Sequence, residues 1–380
     1  MARAQAGPAP TRVVVVDDSP TIRASLVAIF QNASNMQVAG TARNGEDALR
    51  IVKRLKPDVI TMDIHMPGMG GLEAIRRIMQ EVPTPIVVVS SSLLQSETDL
   101  AFEAIRAGAL NVVLSPGLND PQAHDRLVET VRLMADVSVV HHWRAKEKEQ
   151  PSLIVQPEPV LTAIPIVPAP IIPAAKVIGI AASTGGPGIL AAILKPLPAD
   201  FPIPILVVQH IAPGFGAGLA AWLSSILQVQ VKLASQGEEI HPGTVFLAPD
   251  DHHMKINNFG ILRLSDEPPQ HGIRPAANYL FHSLAKNYGS AALGIILTGM
   301  GEDGVDGLKA LRRAGALTIA QDEGSCVVYG MPGEAVKQGA AYRVLDPENI
   351  ATLLLQVAKN AEENTAKIHV TENLLEGRFL

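Results

Sequence analysis

Three residues in the C-terminal half of the chain could together activate a hydroxyl group. Ser183, His210 and Asp303 each follow a separate apolar run of the sequence. A serine is a weak nucleophile until an imidazole takes its proton, and a carboxylate can then orient the imidazole and stabilise its cation. If the three runs are parallel strands, their carboxyl ends meet at one edge of a sheet, where open α/β proteins place their ligand sites. The pattern therefore predicts the nucleophile, base and acid of a serine hydrolase.

Each of these residues also has a simpler interpretation. The serine lies in KVIGIAASTGGPG, where a strand passes through a glycine-rich turn into a helix, and such a turn is also typical of a structural or phosphate-binding loop. His210 alone could be a structural histidine, and Asp303 could simply cap a helix. The order Ser, His, Asp and the lack of a G-x-S-x-G motif exclude an ordinary α/β-hydrolase. We favour the triad because all three residues follow strands.

A second group of charged residues lies in the N-terminal half. Asp17 and Asp18 follow the first apolar run, and Asp63 follows the third. Carboxylates that converge at one sheet edge repel each other unless they hold a hard cation such as Mg²⁺, which takes oxygen ligands. The alternative is that the three are solvated loop acids.

The elements that would position both groups alternate between strand and helix. From Arg12 to Val137, apolar runs of strand length alternate with helical patterns, and the same alternation resumes at Lys176. This order is typical of parallel sheets with helices on both faces. The predicted strands of the first half are Val13–Val16, Val38–Ala42, Val59–Met62, Ile86–Val89 and Asn111–Leu114, and the predicted helices are Pro20–Phe30, Gly45–Leu55, Gly71–Gln80, Asp99–Ala107 and Pro121–Val137. In the second half, Met254–Asn257 and Ile261–Leu264 predict a hairpin.

We therefore predict two doubly wound parallel-sheet α/β domains, flavodoxin-like in the first half and Rossmann-like in the second. The predicted organisation is a disordered N-terminus at 1–11, a first domain at 12–137, a linker at 138–175, a second domain at 176–360 and a tail at 361–380. The linker is rich in proline and should be semi-extended. The tail shows no pattern that assigns it a function.

Composition excludes several classes of function. The net charge of −6 argues against a general nucleic-acid binder. Cys326 is the single cysteine. We expect it to be a small buried residue rather than a nucleophile. The lack of a second cysteine also fits a protein of the reducing cytosol. Six prolines interrupt the apolar stretch from Leu153 to Ile180, so we expect no membrane insertion and a cytoplasmic protein. His141 and His142 are predicted to be solvated, and the run at 250–253 (DDHH) lacks the spacing of a known metal site.

Residues Arg12 to Val137 resemble a response-regulator receiver domain. The resemblance lies in DDS at 17–19, in MDIHMPGMGGLEAI at 62–75 and in Ser90. It implies that Asp63 accepts a phosphoryl group, that Asp17, Asp18 and Asp63 hold Mg²⁺, and that Ser90 is the switch hydroxyl.

The receiver resemblance has one important departure. Receivers carry a lysine before a proline after the fifth strand, and here that pair is Ser115–Pro116, while Val112 replaces the usual aromatic residue. The lysine contacts the phosphoryl group, and a serine supplies no positive charge. We therefore expect metal binding and phosphoryl acceptance to persist, and transmission of the phosphoryl signal to be weakened.

The second half resembles the catalytic domain of the chemotaxis protein-glutamate methylesterase (CheB) family. The matching motifs are ASTGGP at 182–187, VVQHIAPGF at 207–215, GEEIHPGTVFLAPDDHHM at 237–254, LTGMGEDG at 297–304 and VVYGMPGEAVKQGAA at 327–341. The resemblance implies catalysis by Ser183, His210 and Asp303, with the backbone N–H groups of Thr184 and Met300 as oxyanion donors and no cofactor in this domain.

The same resemblance implies a substrate and partners. The family hydrolyses glutamate methyl esters on methyl-accepting chemotaxis receptors, and many members also deamidate receptor glutamines. A histidine kinase of the chemotaxis pathway would supply the phosphoryl group. Two other interpretations of the chain are a signalling module without catalysis and a phosphate sink in which only Asp63 is active.

Overall fold

A computed structural model describes residues 9–90, 95–117, 120–137, 139 and 175–376. The predicted disorder at 1–8, the linker at 140–174 with His141 and His142, and the last residues of the tail, 377–380, lie outside the described residues. Among the described helices none is long and apolar enough to cross a membrane.

The first half of the chain forms a parallel sheet with helices on both faces. In order along the chain its elements are β1 (Thr11–Val16), α1 (Pro20–Asn32), β2 (Met36–Ala42), α2 (Gly45–Leu55), β3 (Val59–Met62), α3 (Gly71–Glu81), β4 (Ile86–Ser90), α4 (Gln95–Arg106), β5 (Asn111–Leu114) and α5 (Pro121–Ala135). The strands lie in the order β2-β1-β3-β4-β5, and every pair is parallel. Strands β1 and β4 are near-continuous runs of β-branched residues, as expected where helices cover both faces of a strand.

The second half forms a larger parallel sheet. Its elements are β6 (Val177–Ala182), α6 (Gly186–Leu194), β7 (Ile205–Gln209), α7 (Gly216–Ile226), β8 (Gln230–Leu233), β9 (Thr244–Leu247), β10 (His253–Ile256), β11 (Leu262–Ser265), α8 (Ala277–Asn287), β12 (Ala292–Ile296), α9 (Val305–Arg313), β13 (Leu317–Gln321), α10 (Met331–Lys337), β14 (Arg343–Leu345) and α11 (Pro347–Glu376). The strand order is β14-β13-β12-β6-β7-β9-β8, and β10 and β11 form the predicted antiparallel hairpin outside this sheet. The predicted fold class, two doubly wound α/β domains, is confirmed.

The position of β6 in the second sheet decides where a site can form. Its neighbours are β7, which follows it in the chain, and β12, which comes much later. The chain therefore reverses its direction of winding at β6, and the helices after β6 and β12 leave on different sides. Crevices at such a switch point, outside the carboxyl ends of the strands, are where doubly wound proteins bind ligands.

The C-terminal elements differ most from the sequence-based expectation. Strand β14 was not predicted, and α11 continues through residue 360, where the second domain was predicted to end. The N-terminus of α11 carries a capping signal that could have been used, because the Asp346 carboxylate accepts the Asn349 N–H at 2.8 Å just before Pro347. Buried Ile350 and Leu354 belong to the large apolar core cluster. For the elements of the first half and for the hairpin the predicted bounds agree within two residues, except that α4 begins at Gln95 rather than Asp99.

The receiver-like half packs against the other half through α4. The ring of Phe102 on α4 stacks on the indole of Trp222 on α7, with centroids 5.5 Å apart and planes at 19°. A cavity of about 510 Å³ lies beside this contact, lined by residues of both halves such as Ile105, Leu110 and Ile189. The same cavity is also lined by Gly185, on the turn after β6, and by Val327, so the receiver-like half lies beside the carboxyl edge of the second sheet.

The packing of α9 against α8, close to Asp303, can be tested at Gly307. A Cβ added to Gly307 of α9 would lie 2.6 Å from the Cβ of Phe281 and 3.1 Å from the Asn278 carbonyl oxygen on α8, whereas one added to Gly188 of α6 would meet nothing within 4 Å. Alanine favours a helix over glycine by about 1 kcal/mol. We nevertheless expect Gly307→Ala to lower the free energy of unfolding by about 1–3 kcal/mol, because overpacking outweighs propensity. Gly188→Ala is the control and should be neutral or stabilising in thermal unfolding. Equal stability of the two variants would contradict this account of the α8–α9 contact.

Candidate active site and acidic cluster

Ser183 is held at the switch point by its own backbone. It directly follows β6, and its N–H donates to the carbonyl of Thr298, beyond β12, at 3.0 Å. Gly185 then adopts φ +78°, a left-handed conformation that favours glycine, and any Cβ there would collide with Val327. The serine side chain is half-buried. The glycine-rich turn therefore fixes the serine between the carboxyl ends of β6 and β12.

Gln209, which the sequence analysis missed, ties the serine turn to the histidine. Its side chain is buried and donates from Nε2 to the carbonyl of Ser183 at 2.7 Å and to that of His210 at 2.8 Å. The His210 N–H in turn donates to the Ala182 carbonyl at 2.9 Å. The backbones of nucleophile and base are thus fixed to each other. A glutamine at the end of an apolar run was the available signal, because a buried amide needs partners.

His210 and Asp303 are joined by a side-chain hydrogen bond. The distance from His210 Nε2 to Asp303 Oδ2 is 2.9 Å, and the two side chains are 12% and 4% exposed. Because a carboxylate only accepts, Nε2 carries a proton, and Nδ1 is the acceptor nitrogen whenever the ring is neutral. The structure therefore brings the predicted base and acid together, with Nδ1 as the nitrogen that could take a proton from a hydroxyl.

Asp303 also caps a helix, although not the helix that follows it. The N–H groups of Ala277 and Asn278, at the start of α8, donate to its carboxylate at 2.6 and 3.2 Å. Burial alone would raise the pKa of Asp303, but the hydrogen bond and charge of His210 and these two backbone donors hold the pKa below its usual value. The carboxylate is therefore ionised at neutral pH, as an orienting acid must be. The Asp303 carboxylate thus caps α8 and is at the same time the predicted orienting acid.

The Ser183 hydroxyl makes no hydrogen bond within the described part of the chain, to His210 or to any other group. Catalytic hydrogen bonds are often long without substrate and tighten in the complex. The structure thus brings together the backbone of the serine and the side chains of the base and acid, and it leaves the hydroxyl accessible.

The two predicted oxyanion donors lie on the loops that flank Ser183. Within the described residues, neither the Thr184 N–H nor the Met300 N–H donates a hydrogen bond. The Thr184 carbonyl accepts from Thr298 Oγ1 at 2.9 Å, and the Gly299 carbonyl accepts the Met331 N–H at 2.8 Å. Both loops are therefore fixed while their N–H groups stay available, which suits an oxyanion hole. Their role remains a prediction.

Thr298 is a further residue that the sequence analysis missed. Its N–H donates to Gln321 Oε1 at 2.8 Å, and its hydroxyl oxygen accepts the Val328 N–H at 2.9 Å. Both Thr298 and Gln321 are fully buried. This network connects the loop of Ser183 to the loops after β12 and β13. Cys326, expected to be buried, lies in the last of these loops and is half-buried, and this burial, together with the charge of Asp322, raises the pKa of its thiol to about 12.

Each residue of the run at 250–253 has a partner in the protein. The Asp250 carboxylate accepts the Gly214 N–H at 2.7 Å, just before α7. Asp251 accepts from Arg274 Nε at 2.8 Å, His252 contacts Asp266 at 3.1 Å, and His253 is buried in contact with α8. The run is thus a set of loop anchors around the active-site edge.

The three acids of the first sheet do converge. Carboxylate oxygens of Asp17, Asp18 and Asp63 lie within 4.8 Å of one another, with Asp17 buried and Asp18 exposed. Burial, and then the negative charge of Asp63, raise the pKa of Asp17 to about 6, and burial also raises the pKa of Asp63. Such crowded carboxylates are stabilised by a cation, and three oxygen ligands at one edge are the donor set that Mg²⁺ takes. The residues therefore fit the predicted metal.

The two predicted switch residues lie side by side. Ser90 is the last residue of β4, and the Ser115 N–H, just after β5, donates to the Ser90 carbonyl at 2.7 Å. Strand β4 is the neighbour of β3, after which Asp63 follows. Both serines therefore lie at the carboxyl edge that carries the acidic cluster.

Together these features define a two-domain α/β protein in which a receiver-like acidic cluster is combined with a buried histidine–aspartate pair beside a serine turn at the switch point of the second sheet. The family model of the CheB methylesterase matches residues 178–354, and that of the response regulator receiver domain matches residues 13–128.

Named relatives cover almost the whole chain. Protein-glutamate methylesterase/protein-glutamine glutaminase 1 of Syntrophus aciditrophicus is 42% identical over 351 residues, which is 91% of this chain and 98% of the relative. Protein-glutamate methylesterase/protein-glutamine glutaminase 4 of Myxococcus xanthus is 45% identical over 351 residues, which is 91% of this chain and 96% of the relative. The solved CheB methylesterase catalytic domain of Thermotoga maritima is 39% identical, covers 48% of this chain and 98% of that domain, and has a TM-score of 0.47. The chain belongs to the protein-glutamate methylesterase/protein-glutamine glutaminase family, as its motifs predicted.

The raised pKa of Asp17 gives a testable pH dependence. A carboxylate whose folded pKa is raised destabilises the fold above that pKa, and the penalty disappears below the unfolded pKa, where the group is protonated in both states. The shift from 3.8 to about 6 corresponds to at most about 3 kcal/mol. We expect Asp17→Asn to raise the thermal midpoint at pH 7.5 without Mg²⁺ and to match the unsubstituted protein below pH 4.

Mg²⁺ supplies the complementary measurement. It should raise the midpoint of the unsubstituted protein at pH 7.5 and have much less effect on Asp17→Asn. Asp200→Asn, which removes an exposed carboxylate elsewhere, is the control and should respond to Mg²⁺ normally. An Asp17→Asn variant that is no more stable than the control at pH 7.5 would show that neither burial nor the neighbouring acids destabilise the Asp17 carboxylate.

Proposed function

We propose that this protein is a response-regulated serine hydrolase that removes methyl groups from glutamate side chains of methyl-accepting chemotaxis receptors, with release of methanol. The same site would deamidate specific receptor glutamines. The observation that carries the proposal is the His210–Asp303 hydrogen bond, held beside Ser183 at the sheet's switch point. Membership of the family supports the choice of substrate.

The geometry supports a two-step acyl transfer. Ser183 Oγ attacks the ester carbonyl and passes its proton to Nδ1 of His210, while the Asp303 carboxylate stabilises the imidazolium. The N–H groups of Thr184 and Met300 stabilise the negative charge on the carbonyl oxygen. Methanol leaves with the proton from His210, and water then hydrolyses the acyl-enzyme by the same route. A glutamine amide follows the same path, with ammonia as the leaving group.

The receiver-like half would regulate this site. Asp63 would accept the phosphoryl group from the chemotaxis histidine kinase, with Asp17, Asp18 and Asp63 as ligands for Mg²⁺, which neutralises negative charge when bound. The stacked pair of Phe102 and Trp222 holds α4 beside the catalytic edge, so docking of this half would limit access of a receptor to Ser183.

Both the receptor segments and the kinase of such a pathway are cytoplasmic, so we infer that this protein acts in the cytoplasm. The proposal requires neither nucleic acid nor insertion into a membrane. A signalling module without catalysis, or a phosphate sink, would need no activated serine, and labelling of Ser183 by a fluorophosphonate distinguishes the enzyme from both.

The catalytic roles are tested by substitution. We expect Ser183→Ala to reduce methanol release from methylated receptor by about 10⁴-fold or more, and His210→Ala to cost nearly as much, because triad members act as a unit. Asp303→Asn should cost less, provided that the oxyanion donors persist. Ser290→Ala, an exposed serine in the same half, is the control. The triad is wrong if Ser183→Ala releases methanol at a near-normal rate.

The serine in place of the receiver lysine gives a second test. We expect Ser115→Lys to be phosphorylated faster by acetyl phosphate with Mg²⁺, because a lysine there adds a positive charge at the edge that holds Asp63. The phosphodonor should also activate methanol release more strongly in Ser115→Lys than in the unsubstituted chain. Phosphorylation is followed by the label on Asp63, with Asp63→Asn as the blank. Equal rates and equal activation would mean that another cation already fills this role.

A further inference from the structure

His253 is a buried histidine whose two ring nitrogens both have backbone partners. It opens β10 and is 0% exposed. Its Nδ1 lies 3.1 Å from the Ala276 N, and its Nε2 lies 3.2 Å from the Pro268 carbonyl oxygen. An N–H can only donate and a carbonyl can only accept, so the ring is neutral, with the proton on Nε2 and the acceptor at Nδ1.

The residue that His253 holds lies directly before the donors of Asp303. Ala276 is the N-cap residue of α8, and the next two N–H groups, of Ala277 and Asn278, are those that bind the Asp303 carboxylate. Ala276 has no side chain that could cap the helix. The contacts therefore run without a break from the Nδ1 of His253, through the first residues of α8, to Asp303 and His210.

A role in packing alone would use different atoms. The ring of His253 stacks on Tyr279 with centroids 3.7 Å apart and planes at 12°, a contact that another aromatic ring could make. The acceptor at Nδ1 is what an apolar ring lacks, and the buried Ala276 N–H would then lose its partner. The charged groups around the ring are Lys255, Glu267 and Arg274, and burial lowers the pKa of the imidazole, which keeps Nδ1 an acceptor at neutral pH.

We propose that His253 is a positioning residue for the hydrolysis: its Nδ1 fixes the N-terminus of α8, so that the Ala277 and Asn278 N–H groups hold the Asp303 carboxylate in place and ionised against His210. This inference rests on the proposed function. It assigns to the fourth residue of the run at 250–253 a part in the reaction that involves no contact with the substrate.

Two substitutions separate the hydrogen bond from the packing. His253→Phe keeps an aromatic ring beside Tyr279 and removes both hydrogen bonds, whereas His253→Asn keeps an acceptor oxygen near the position of Nδ1. Methanol release from methylated receptor is measured against pH for the full-length proteins, with thermal midpoints recorded in parallel. Val231→Ala, a core truncation on the distant edge strand β8, is the control for loss of stability alone.

We expect His253→Phe to lower kcat about tenfold, equivalent to about 1.4 kcal/mol of barrier, with KM within about twofold. With fewer N–H donors, the Asp303 charge would stabilise the imidazolium more strongly, so the acid limb of the kcat profile should move to higher pH. His253→Asn should recover most of kcat and return the acid limb towards its original position, and Val231→Ala should leave both unchanged.

Two results would overturn the inference. One is a His253→Phe variant with unchanged kcat and unchanged pH profile. The other is a His253→Asn variant as slow as His253→Phe at the same thermal midpoint, which would show that an acceptor near the position of Nδ1 does not support the reaction. If the unsubstituted protein released no methanol, the proposed function would fail instead, so the two failures are distinguishable.

Discussion

The catalytic half depends on the hydrogen bonds that the buried Asp303 carboxylate accepts. It is almost fully buried, and it accepts from an imidazole and from two N–H groups of α8. A buried charge with fewer partners would protonate or become exposed. Because the partners come from the residue after β7 and from α8, and Asp303 itself follows β12, the charge fixes three separate parts of the chain around one point. That point adjoins the turn of Ser183.

The sequence predicted this convergence because it follows from chain direction alone. Ser183, His210 and Asp303 all follow apolar runs, and parallel strands bring their carboxyl ends to one edge whatever the detailed packing. Equally local rules predicted the acids after β1 and β3, and the helices α2 and α3, whose apolar residues recur with helical spacing. These features needed no knowledge of which strands are neighbours.

The supporting residues could not be predicted in the same way, because their roles depend on contacts between distant segments. The Gln209 side chain donates to two carbonyls that only the turn after β6 brings together. The Thr298 hydroxyl accepts from an N–H in a loop 30 residues further along the chain. His253 was considered only as a metal ligand within the run at 250–253, because nothing in the sequence shows that β10 lies beside the start of α8. The strand β14 was missed because its three residues show no clear alternation.

The two halves place carboxylates at the same kind of edge with opposite electrostatic consequences. Around Asp303, donors outnumber acceptors and the pKa of the acid is lowered, so the site is organised before any substrate arrives. Around Asp17, burial and then the neighbouring acids raise the pKa to about 6, so the site is strained until positive charge is added. A preorganised site suits catalysis, which gains from groups that need not move. A strained site suits a switch, because under the proposed regulation the binding of a cation and a phosphoryl group would change its energy, and such a change could bias the contact of α4 with α7.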